Sequence, residues 1–371
     1  MKGLHGILFC YETRSNLREL GEIRSAASIP FAGRYRAIDF ALSNLVNAGT
    51  TDVGIVLHGQ YQSLLDHLGS GKDWDLSRKR GGLKLLPPFH QQNNTLGITP
   101  FRGKMEALTS IRPYLKSIRQ DYVALMDGDL VANLPLPDIL ARHIQTGADI
   151  TVVCGNDSFK IEDGTYFEMT PEGRITEVLS QLSVPRGYRG LEVYILSTEL
   201  LIELVEACAS RDQYSWRLDV LLAQKDKLNL RGYIWGEFAA QMRSVQEYYD
   251  RSMQILEPNI RRELFSPKRP IRAKGTDRPS AYVGPEGICI NSLVADGCLI
   301  EGTVENSILF PGVTVERGAI VRNSVLFKSA IIRADAELDY GIADKYTEIL
   351  AGRRLMGYSS HPLVLEKGSV V

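Results

Sequence analysis

Few of the side chains that usually do chemistry stand in a recognised pattern in this sequence. The six histidines form no H-x-E or H-E-x-x-H motif and are not spaced with cysteines as zinc ligands are. There is no Gly-x-Ser-x-Gly elbow, and the five cysteines are scattered. The sequence therefore predicts neither a zinc centre nor a hydrolase-type nucleophile.

Composition excludes several classes of partner. Of the 371 residues, 44% are hydrophobic and 23% are charged, as in ordinary globular proteins, and the length allows two or more domains. The 43 basic and 44 acidic residues give a net charge of -1, so we expect no nucleic-acid or membrane partner. An odd number of scattered cysteines and a start without a signal-peptide pattern predict a cytoplasmic protein with reduced thiols.

The first part of the chain alternates short apolar runs with longer amphipathic stretches. The apolar runs are rich in β-branched residues and cover residues 4–10, 53–57, 122–126, 150–154 and 191–197. The amphipathic stretches, which predict helices, cover residues 35–48, 104–119, 136–145, 198–210 and 245–256. Strands of this length separated by helices indicate βαβ units. We therefore predict an α/β domain with a mixed, mostly parallel sheet over residues 1–256.

The pattern changes in the last third of the chain. Four prolines punctuate residues 257–282, which we interpret as a linker. Over residues 283–371, aliphatic side chains recur every six positions, as at Val313, Ala319 and Val325, and the tetrapeptides NSLV, NSIL and NSVL recur at 15 and 17 residues. Because each flat face of a β-helix coil takes six residues and points one inward, this period predicts a β-helix. A small β-sandwich is the alternative.

Several motifs together resemble those of glucose-1-phosphate adenylyltransferase, also called ADP-glucose pyrophosphorylase. They are the segments 29–44 (IPFAGRYRAIDFALSN), 59–62 (GQYQ), 74–76 (WDL) and 127–129 (DGD), followed by the hexapeptide tail. The resemblance extends over nearly the whole chain, and the first motif is long and specific. It implies a Rossmann-like (GT-A-like) nucleotidyltransferase domain followed by a left-handed parallel β-helix, in agreement with the prediction from the elements.

The resemblance also implies a reaction. In that family the phosphate of glucose 1-phosphate attacks the α-phosphorus of ATP, and pyrophosphate leaves. Because negative charge builds on the phosphoryl oxygens, such an enzyme needs a glycine-rich backbone loop, cationic side chains and carboxylate-held Mg²⁺. No organic cofactor is implied.

The phosphate-binding parts of that family are altered in this chain. The loop after the first strand, residues 9–17, contains no glycine, so its side chains would keep the backbone away from a triphosphate. The lysine-proline pair of catalytic subunits aligns with Ala26 and Ala27. The nucleotide-recognising Gly-Thr-Ala segment survives only as Gly103 followed by a lysine, and the lysine that contacts the sugar phosphate is replaced by Gln181.

The carboxylates that bind Mg²⁺ in that family are also altered. Asp129 aligns with the first metal-binding aspartate, whereas the second is replaced by Gln241. Hard Mg²⁺ prefers carboxylate and water oxygens, so we expect Mg²⁺ not to bind productively. Asp127 is either a replacement ligand or a turn residue at a strand end. The resemblance thus outlines a substrate-like pocket of Gln60, which aligns near the nucleotide, with Gly103, Asp127, Asp129 and Gln181.

The joint alteration of five active-site elements resembles the GlgD-type subunit of this family, a paralogue that pairs with a catalytic subunit. We therefore expect a regulatory, catalytically weak or inactive subunit in glycogen biosynthesis. Its partner would be a homologous catalytic subunit in a mixed tetramer, where one subunit can bias the conformational equilibrium of another. Two alternatives stay open: a self-sufficient adenylyltransferase, and a non-enzymatic protein that binds a sugar phosphate or nucleotide.

Arginines retained in the first motif predict a separate anion site. In that family this region contacts anionic effectors, and Arg34 takes the position of a lysine there. Because a guanidinium group can bind phosphate through two hydrogen bonds, we predict that Arg34 and Arg36 bind an anionic sugar-phosphate effector. A basic residue of the β-helix, Arg317 or Arg322, would complete the site. The alternative is structural: the arginines pair with Asp39 or cap a helix.

Overall fold

The structure, a computed structural model, describes residues 3–11, 16–87, 101–156, 164–180, 186–275 and 277–371. Within these ranges the α-helices are α1 Ala37–Asn47, α2 Gln62–Leu68, α3 Lys104–Ser110, α4 Arg112–Leu115, α5 Leu136–Thr146, α6 Thr198–Ala209, α7 Val245–Gln254 and α8 Pro258–Leu264. A π-helix covers Trp216–Leu222, and short 3-10 helices cover Arg18–Leu20, Ala26–Ser28 and Lys72–Trp74. None of these helices combines the length and apolarity that a membrane span requires.

Each of the five predicted apolar runs forms a strand, and the described residues contain further strands before the hexapeptide region. Together these strands are β1 Leu4–Cys10, β2 Pro30–Phe31, β3 Tyr35–Arg36, β4 Asp52–Leu57, β5 Gly82–Leu86, β6 Tyr122–Asp127, β7 Leu130–Ala132, β8 Ile150–Gly155, β9 Thr165–Met169, β10 Ile175–Ser180, β11 Tyr188–Ser197, β12 Leu230–Trp235 and β13 Ala239–Gln241. The predicted helix over residues 104–119 is instead two helices, α3 and α4. Pro113 lies in the first turn of α4, and because it has no N–H to donate to the carbonyl four residues earlier, a continuous helix through residues 104–119 is interrupted before it.

The elements form two compact units. Unit 1 is drawn from the ranges Met1–Thr13, Phe40–Ala240 and Phe265–Arg272, and unit 2 from Arg14–Asp39, Gln241–Leu264 and Ala273–Val371. This division differs from the predicted boundaries, because two segments of the predicted first domain group with the hexapeptide region. The predicted linker also begins with a helix, α8. Its Pro258 stands at the first helical position, where a missing N–H costs no hydrogen bond.

Unit 1 is built around a nine-stranded mixed sheet. The main order is β10-β9-β11-β6-β1-β4-β5, and β8 pairs with β11 and β12. Strand β1 is parallel to β4 and β6, whereas β11 is antiparallel to β6, β8 and β9. All of β1 is buried, as expected for a central strand of an α/β sheet. The predicted α/β class and mixed sheet are thereby confirmed.

Unit 2 contains the predicted β-helix. Three parallel five-stranded sheets have the orders β14-β17-β20-β23-β26, β15-β18-β21-β24-β27 and β16-β19-β22-β25-β28, the arrangement of a left-handed parallel β-helix. The strands are β14 Tyr282–Val283, β15 Ile288–Ile290, β16 Leu293–Val294, β17 Leu299–Ile300, β18 Thr303–Glu305, β19 Ile308–Leu309, β20 Thr314–Val315, β21 Ile320–Arg322, β22 Val325–Leu326, β23 Ile331–Ile332, β24 Glu337–Asp339, β25 Gly341–Ala343, β26 Glu348–Ile349, β27 Arg354–Met356 and β28 Leu363–Leu365.

The recurring Asn-Ser pairs explain how the β-helix coil turns its corners. Asn306 and Asn323 both have φ of 45°, a left-handed backbone conformation that asparagine tolerates better than most residues. The serines that follow form a ladder along the helix axis. The Ser324 N–H donates to Ser307 Oγ at 3.1 Å, and the Gly341 N–H donates to Ser324 Oγ at 3.0 Å. The motif therefore stabilises the coil.

A buried ion pair connects two separate segments of unit 2. The Arg24 guanidinium donates to both carboxylate oxygens of Asp344, at 2.9 and 2.7 Å, and each side chain is only 1% exposed. Tyr248 Oη in α7 donates to the carbonyl of Pro30 at 2.9 Å. Because a buried charge is costly without a partner, the ion pair ties residues 16–39 to the β-helix, and the Tyr248 hydrogen bond ties α7 to the same segment.

We predict that Ser324→Ala destabilises the β-helix by about 1–3 kcal/mol. The change leaves the buried Gly341 N–H without its acceptor, and an unsatisfied buried donor costs about this much. Urea unfolding followed by far-UV circular dichroism measures the loss. The matched control is Ser369→Ala, since Ser369 Oγ donates to the Glu366 carbonyl in an exposed position. An equal effect of the two substitutions would contradict the ladder's role.

Candidate functional site

An ion-pair cluster at the edge of the unit 1 sheet brings together three elements. Lys104 begins α3, Asp127 ends β6, and Glu192 lies within β11. The Lys104 Nζ atom lies 2.7 Å from Asp127 Oδ1 and 2.5 Å from Glu192 Oε2. The three side chains are between 14% and 17% exposed, so water screens them little. The ammonium group thus lies between two carboxylates.

The backbone of β11 is bent to place Glu192 in this cluster. Its register against β8 shifts between Gly190 and Val193, and Glu192 has φ of +57°. A non-glycine residue with positive φ is strained, and β-bulges often redirect a side chain at a functional site. On the other side of β11, Val193 is opposite Met126. This antiparallel register brings Glu192 and Asp127 to the same end of the strand pair.

Aromatic rings surround the ammonium group. The Lys104 Nζ atom lies 5.4 Å from the ring centroid of Phe9 and 5.6 Å from that of Tyr194, within the range of cation–π attraction. The Tyr194 hydroxyl donates to Glu192 Oε2 at 3.0 Å. These contacts fix the positions of both charged groups.

The cluster keeps Lys104 protonated. Burial alone would lower the pKa of its ammonium group, but the charges of Asp127 and Glu192 raise that pKa above its ordinary value. Burial also raises the pKa of the neighbouring Cys10 thiol, with further contributions from Asp129 and Asp127. Lys104 is therefore a fixed positive charge near neutral pH, and Cys10 is an uncharged thiol.

Tyr11 places a large side chain where a phosphate-binding loop would need glycine. Its ring centroid lies 5.9 Å from that of Phe9 and 5.1 Å from that of Phe101, which in turn lies 5.2 Å from that of His58. Residues 12–15 of this predicted loop lie outside the described residues. That the loop does not receive a triphosphate by close backbone approach stays a prediction.

The residues present do not fit the Mg²⁺ site that the family resemblance implies. Asp129 follows β6 as predicted, but Asp127 binds the Lys104 ammonium. Gln241 ends β13, is buried, and supplies a neutral amide in place of a carboxylate. Among the described residues, no group of three His, Cys, Asp or Glu side chains is placed to hold a metal ion. A divalent cation would meet a positive charge next to Asp127.

Gly103 has a packing role that sequence reasoning did not identify. A β-carbon at this position would collide with the carbonyl oxygen of Tyr214, which accepts a hydrogen bond from the Met105 N–H at 3.0 Å. The glycine therefore lets the start of α3 approach the neighbouring chain segment. Of the other predicted pocket residues, Gln60 is exposed in a bend after β4, and Gln181 lies outside the described residues.

Lys104 and Glu192 were the residues that sequence reasoning missed. A lysine in the place of a neutral threonine, and a glutamate inside a buried apolar strand, were the available signals. A buried carboxylate needs a partner, so Glu192 by itself predicted a nearby cation. Pairing it with Lys104 required the fold, because 88 residues separate the two.

The predicted effector arginines lie in unit 2. Arg34 is exposed and Arg36 is half-buried, and the Arg36 N–H donates to Asp39 Oδ2 at 3.0 Å, so Asp39 caps the start of α1. Arg317 and Arg322 lie on the β-helix and form exposed ion pairs with Glu286 and Glu305.

The positive charge of Arg36 contributes to lowering the pKa of Lys345, a lysine of the β-helix. The pKa of Lys345 is lowered to about 7 by burial, with further contributions from the positive charges of Arg36, Arg24 and Lys367 and an opposing one from Asp344. No sequence pattern indicated this residue, because a lysine in a hexapeptide coil is usually an ordinary surface charge.

Comparisons with known proteins define the class. Residues 14–167 match the nucleotidyl transferase family model, and residues 280–360 match the model for GlmU-like C-terminal hexapeptide regions. Together with the fold, they define a nucleotidyltransferase chain with a hexapeptide-repeat β-helix.

Relatives over the full length define the family. The glycogen biosynthesis protein GlgD of Bacillus subtilis (strain 168) is 34% identical over 96% of this chain and 94% of its own length. The GlgD protein of Geobacillus stearothermophilus is 36% identical over 95% and 93%. The glucose-1-phosphate adenylyltransferase of Geobacillus stearothermophilus is 30% identical over 83% and 80%. The chain belongs to the GlgD family of glycogen biosynthesis proteins, which is related to glucose-1-phosphate adenylyltransferases.

We predict that Gly103→Ala destabilises unit 1 by about 1–3 kcal/mol, because the added methyl group forces the start of α3 away from Tyr214. Gly236→Ala is the matched control, since a β-carbon there meets no atom within 4 Å. Thermal unfolding of both variants measures the difference. A Gly103→Ala chain as stable as the control would show that α3 can shift without loss.

Proposed function

We propose that this chain is a regulatory, catalytically weak or inactive subunit of glucose-1-phosphate adenylyltransferase in the cytoplasm. It modulates a homologous catalytic subunit, with which it assembles as a mixed tetramer. The observation that carries this proposal is the Lys104 ammonium bound between Asp127 and Glu192. It stands in the part of unit 1 where the resemblance places the nucleotide and its Mg²⁺.

The chemistry of the reaction explains why this cluster weakens catalysis. Pyrophosphate leaves as the sugar phosphate attacks the α-phosphorus of ATP, and the growing negative charge needs cations that are free to meet it. The charge of Lys104 is already matched by two carboxylates. Asp129 adds a further negative charge nearby. Burial is the main reason that the pKa of the Cys10 thiol is raised, and the charge of Asp129 raises it further. A triphosphate would meet repulsion here, so Mg²⁺–nucleotide binding would be unproductive.

The first coil of the β-helix supports assembly with another subunit. Strands β14 and β15 are edge strands of their sheets. Their apolar residues Tyr282, Val283, Ile288 and Ile290 are between 46% and 55% exposed. Exposed apolar side chains on an open sheet edge favour pairing with another protein. A homologous subunit presents the same kind of coil, which makes it the partner we propose.

The cations of unit 2 support an anion site for a sugar-phosphate effector. Arg36 and Lys345 are close enough for the charge of Arg36 to lower the pKa of Lys345, and a bound phosphate would relieve this repulsion. Arg34 would add a second guanidinium group. Arg317 and Arg322 already pair with carboxylates, so Lys345 is the better candidate from the β-helix.

Three assays of pyrophosphate release test the regulatory role: this chain alone, its catalytic homologue alone, and both mixed. We expect the chain alone to be slower than the catalytic subunit by a factor of about 10⁴, the consequence of losing two transition-state contacts. The mixture should differ from the catalytic subunit in rate or effector response. Ordinary rates from this chain alone would establish a self-sufficient enzyme, and ligand binding without association would establish a separate binding protein.

The effector site has a predicted pH dependence. Because phosphate binds best to protonated Lys345, whose pKa is about 7, affinity should fall by up to roughly tenfold per pH unit between pH 7 and 9. Phosphate monoesters, with a second pKa of about 6, are already fully ionised in this range. Calorimetric titration with glucose 1-phosphate at several pH values measures this dependence.

Variants separate the candidate contacts. Lys345→Met should flatten the pH dependence, and Arg36→Gln should weaken binding by about tenfold, the loss of one charge-assisted hydrogen bond. Arg317→Gln, which breaks only the exposed pair with Glu286, should leave the affinity unchanged. If Arg317→Gln weakens binding and Lys345→Met does not change it, the site lies near Arg317 and not near Lys345.

A further inference from the structure

We propose that the Lys104 ammonium is a built-in cation that takes the place of a divalent metal ion between Asp127 and Glu192 and closes this position to metal ions. This inference goes beyond the regulatory role, since it concerns what the carboxylates of unit 1 bind. It accounts for the misfit between the residues present and the Mg²⁺ that the resemblance implies.

The geometry of the cluster is that of a cation site with an internal occupant. Two carboxylate oxygens from different strands lie 2.7 and 2.5 Å from a single nitrogen atom. Metal ions such as Mg²⁺ and Ca²⁺ bind carboxylate oxygens at about 2.0–2.6 Å, so the same two oxygens could hold an ion close to this position. The ammonium group and a metal ion would therefore compete for one space.

The carboxylate pair requires a cation in the folded chain. Glu192 lies within β11 and Asp127 ends the neighbouring strand β6, and like charges placed this way repel each other. Both side chains are mostly buried, so water does little to reduce the repulsion. Without a positive charge, one carboxylate would have to leave or take up a proton.

The Lys104 ammonium group occupies this position in preference to a metal ion because it is covalently attached to the chain. No free ion has to be captured from solution, and a metal ion that entered would leave a mostly buried ammonium group without its partners. The aromatic rings of Phe9 and Tyr194 favour the ammonium position further. The strained backbone of Glu192, with φ of +57°, persists because its carboxylate is bound here.

Removal of the ammonium group tests the proposal in the full-length chain. Lys104→Met keeps the length and apolar stem of the side chain but removes the positive charge that lies between the two carboxylates. We expect a loss of roughly 5–10 °C in the unfolding temperature in EDTA and recovery of at least half of it in millimolar Mn²⁺. Wild-type unfolding should not respond to Mn²⁺. The matched control is Lys116→Met, because Lys116 forms an exposed ion pair with Glu206 and should behave like wild type.

Direct binding gives a second measurement. Electron spin resonance of free Mn²⁺ should show about one more bound ion per chain in Lys104→Met than in wild type. The double variant K104M/E192Q should lose that ion. NaCl at matched ionic strength should not replace Mn²⁺ in the unfolding assay, because screening by salt creates no coordination site.

Several results would overturn the proposal. The first is that wild type binds Mn²⁺ and Glu192→Gln loses that binding. The second is that Lys104→Met binds no more Mn²⁺ than wild type does. The third is that NaCl alone restores the stability of Lys104→Met. If Lys104→Met does not accumulate as folded protein, refolding yield in Mn²⁺ and in EDTA provides the same comparison, and equal yields contradict the proposal. None of these results bears on the mixed-subunit rates, so failure here is distinguishable from failure of the regulatory role.

Discussion

The positive charge of Lys104 between Asp127 and Glu192 is the interaction on which the architecture of this pocket depends. Two mostly buried carboxylates on adjacent strands are stable only with a cation, and the chain supplies its own. Helix α3 places Lys104, the end of β6 places Asp127, and the bulge in β11 places Glu192 in that contact. An ammonium group held between two carboxylates offers little net charge to a triphosphate. The regulatory role proposed above follows from this change in electrostatics within a retained fold.

The retained first motif illustrates how a family sequence can persist for structural reasons. The Asn44 side chain donates to the Ala132 carbonyl at 2.9 Å and accepts from the Leu134 N–H at 3.0 Å. Ser43 Oγ accepts from the Arg272 N–H at 2.9 Å. These residues hold segments of unit 1 together, which a regulatory subunit needs as much as a catalytic one. Resemblance over this motif therefore indicates the fold more strongly than the activity.

Unit 2 combines a rigid repeat with a cluster of cations. The serine ladder and the Arg24–Asp344 pair are buried interactions that give the β-helix a fixed shape. Lys345 is different, because neighbouring positive charges and burial lower its pKa. A charged group that the fold destabilises can respond to an anion, whereas the ion pairs of Arg317 and Arg322 are already satisfied. This contrast is what favours Lys345 as part of a regulatory site.

The sequence by itself determined the two architectures, because apolar periods of strand, helix and hexapeptide follow from which side of each element must be buried. It also showed where the chain departs from the motifs of the catalytic relatives, since Gln241 and the glycine-free loop can be read directly. Only the tertiary structure decided that Lys104 meets Glu192 and that Arg36 acts on Lys345. Each pair is far apart in sequence, and electrostatic energy depends on distance and burial, which a one-dimensional pattern does not contain.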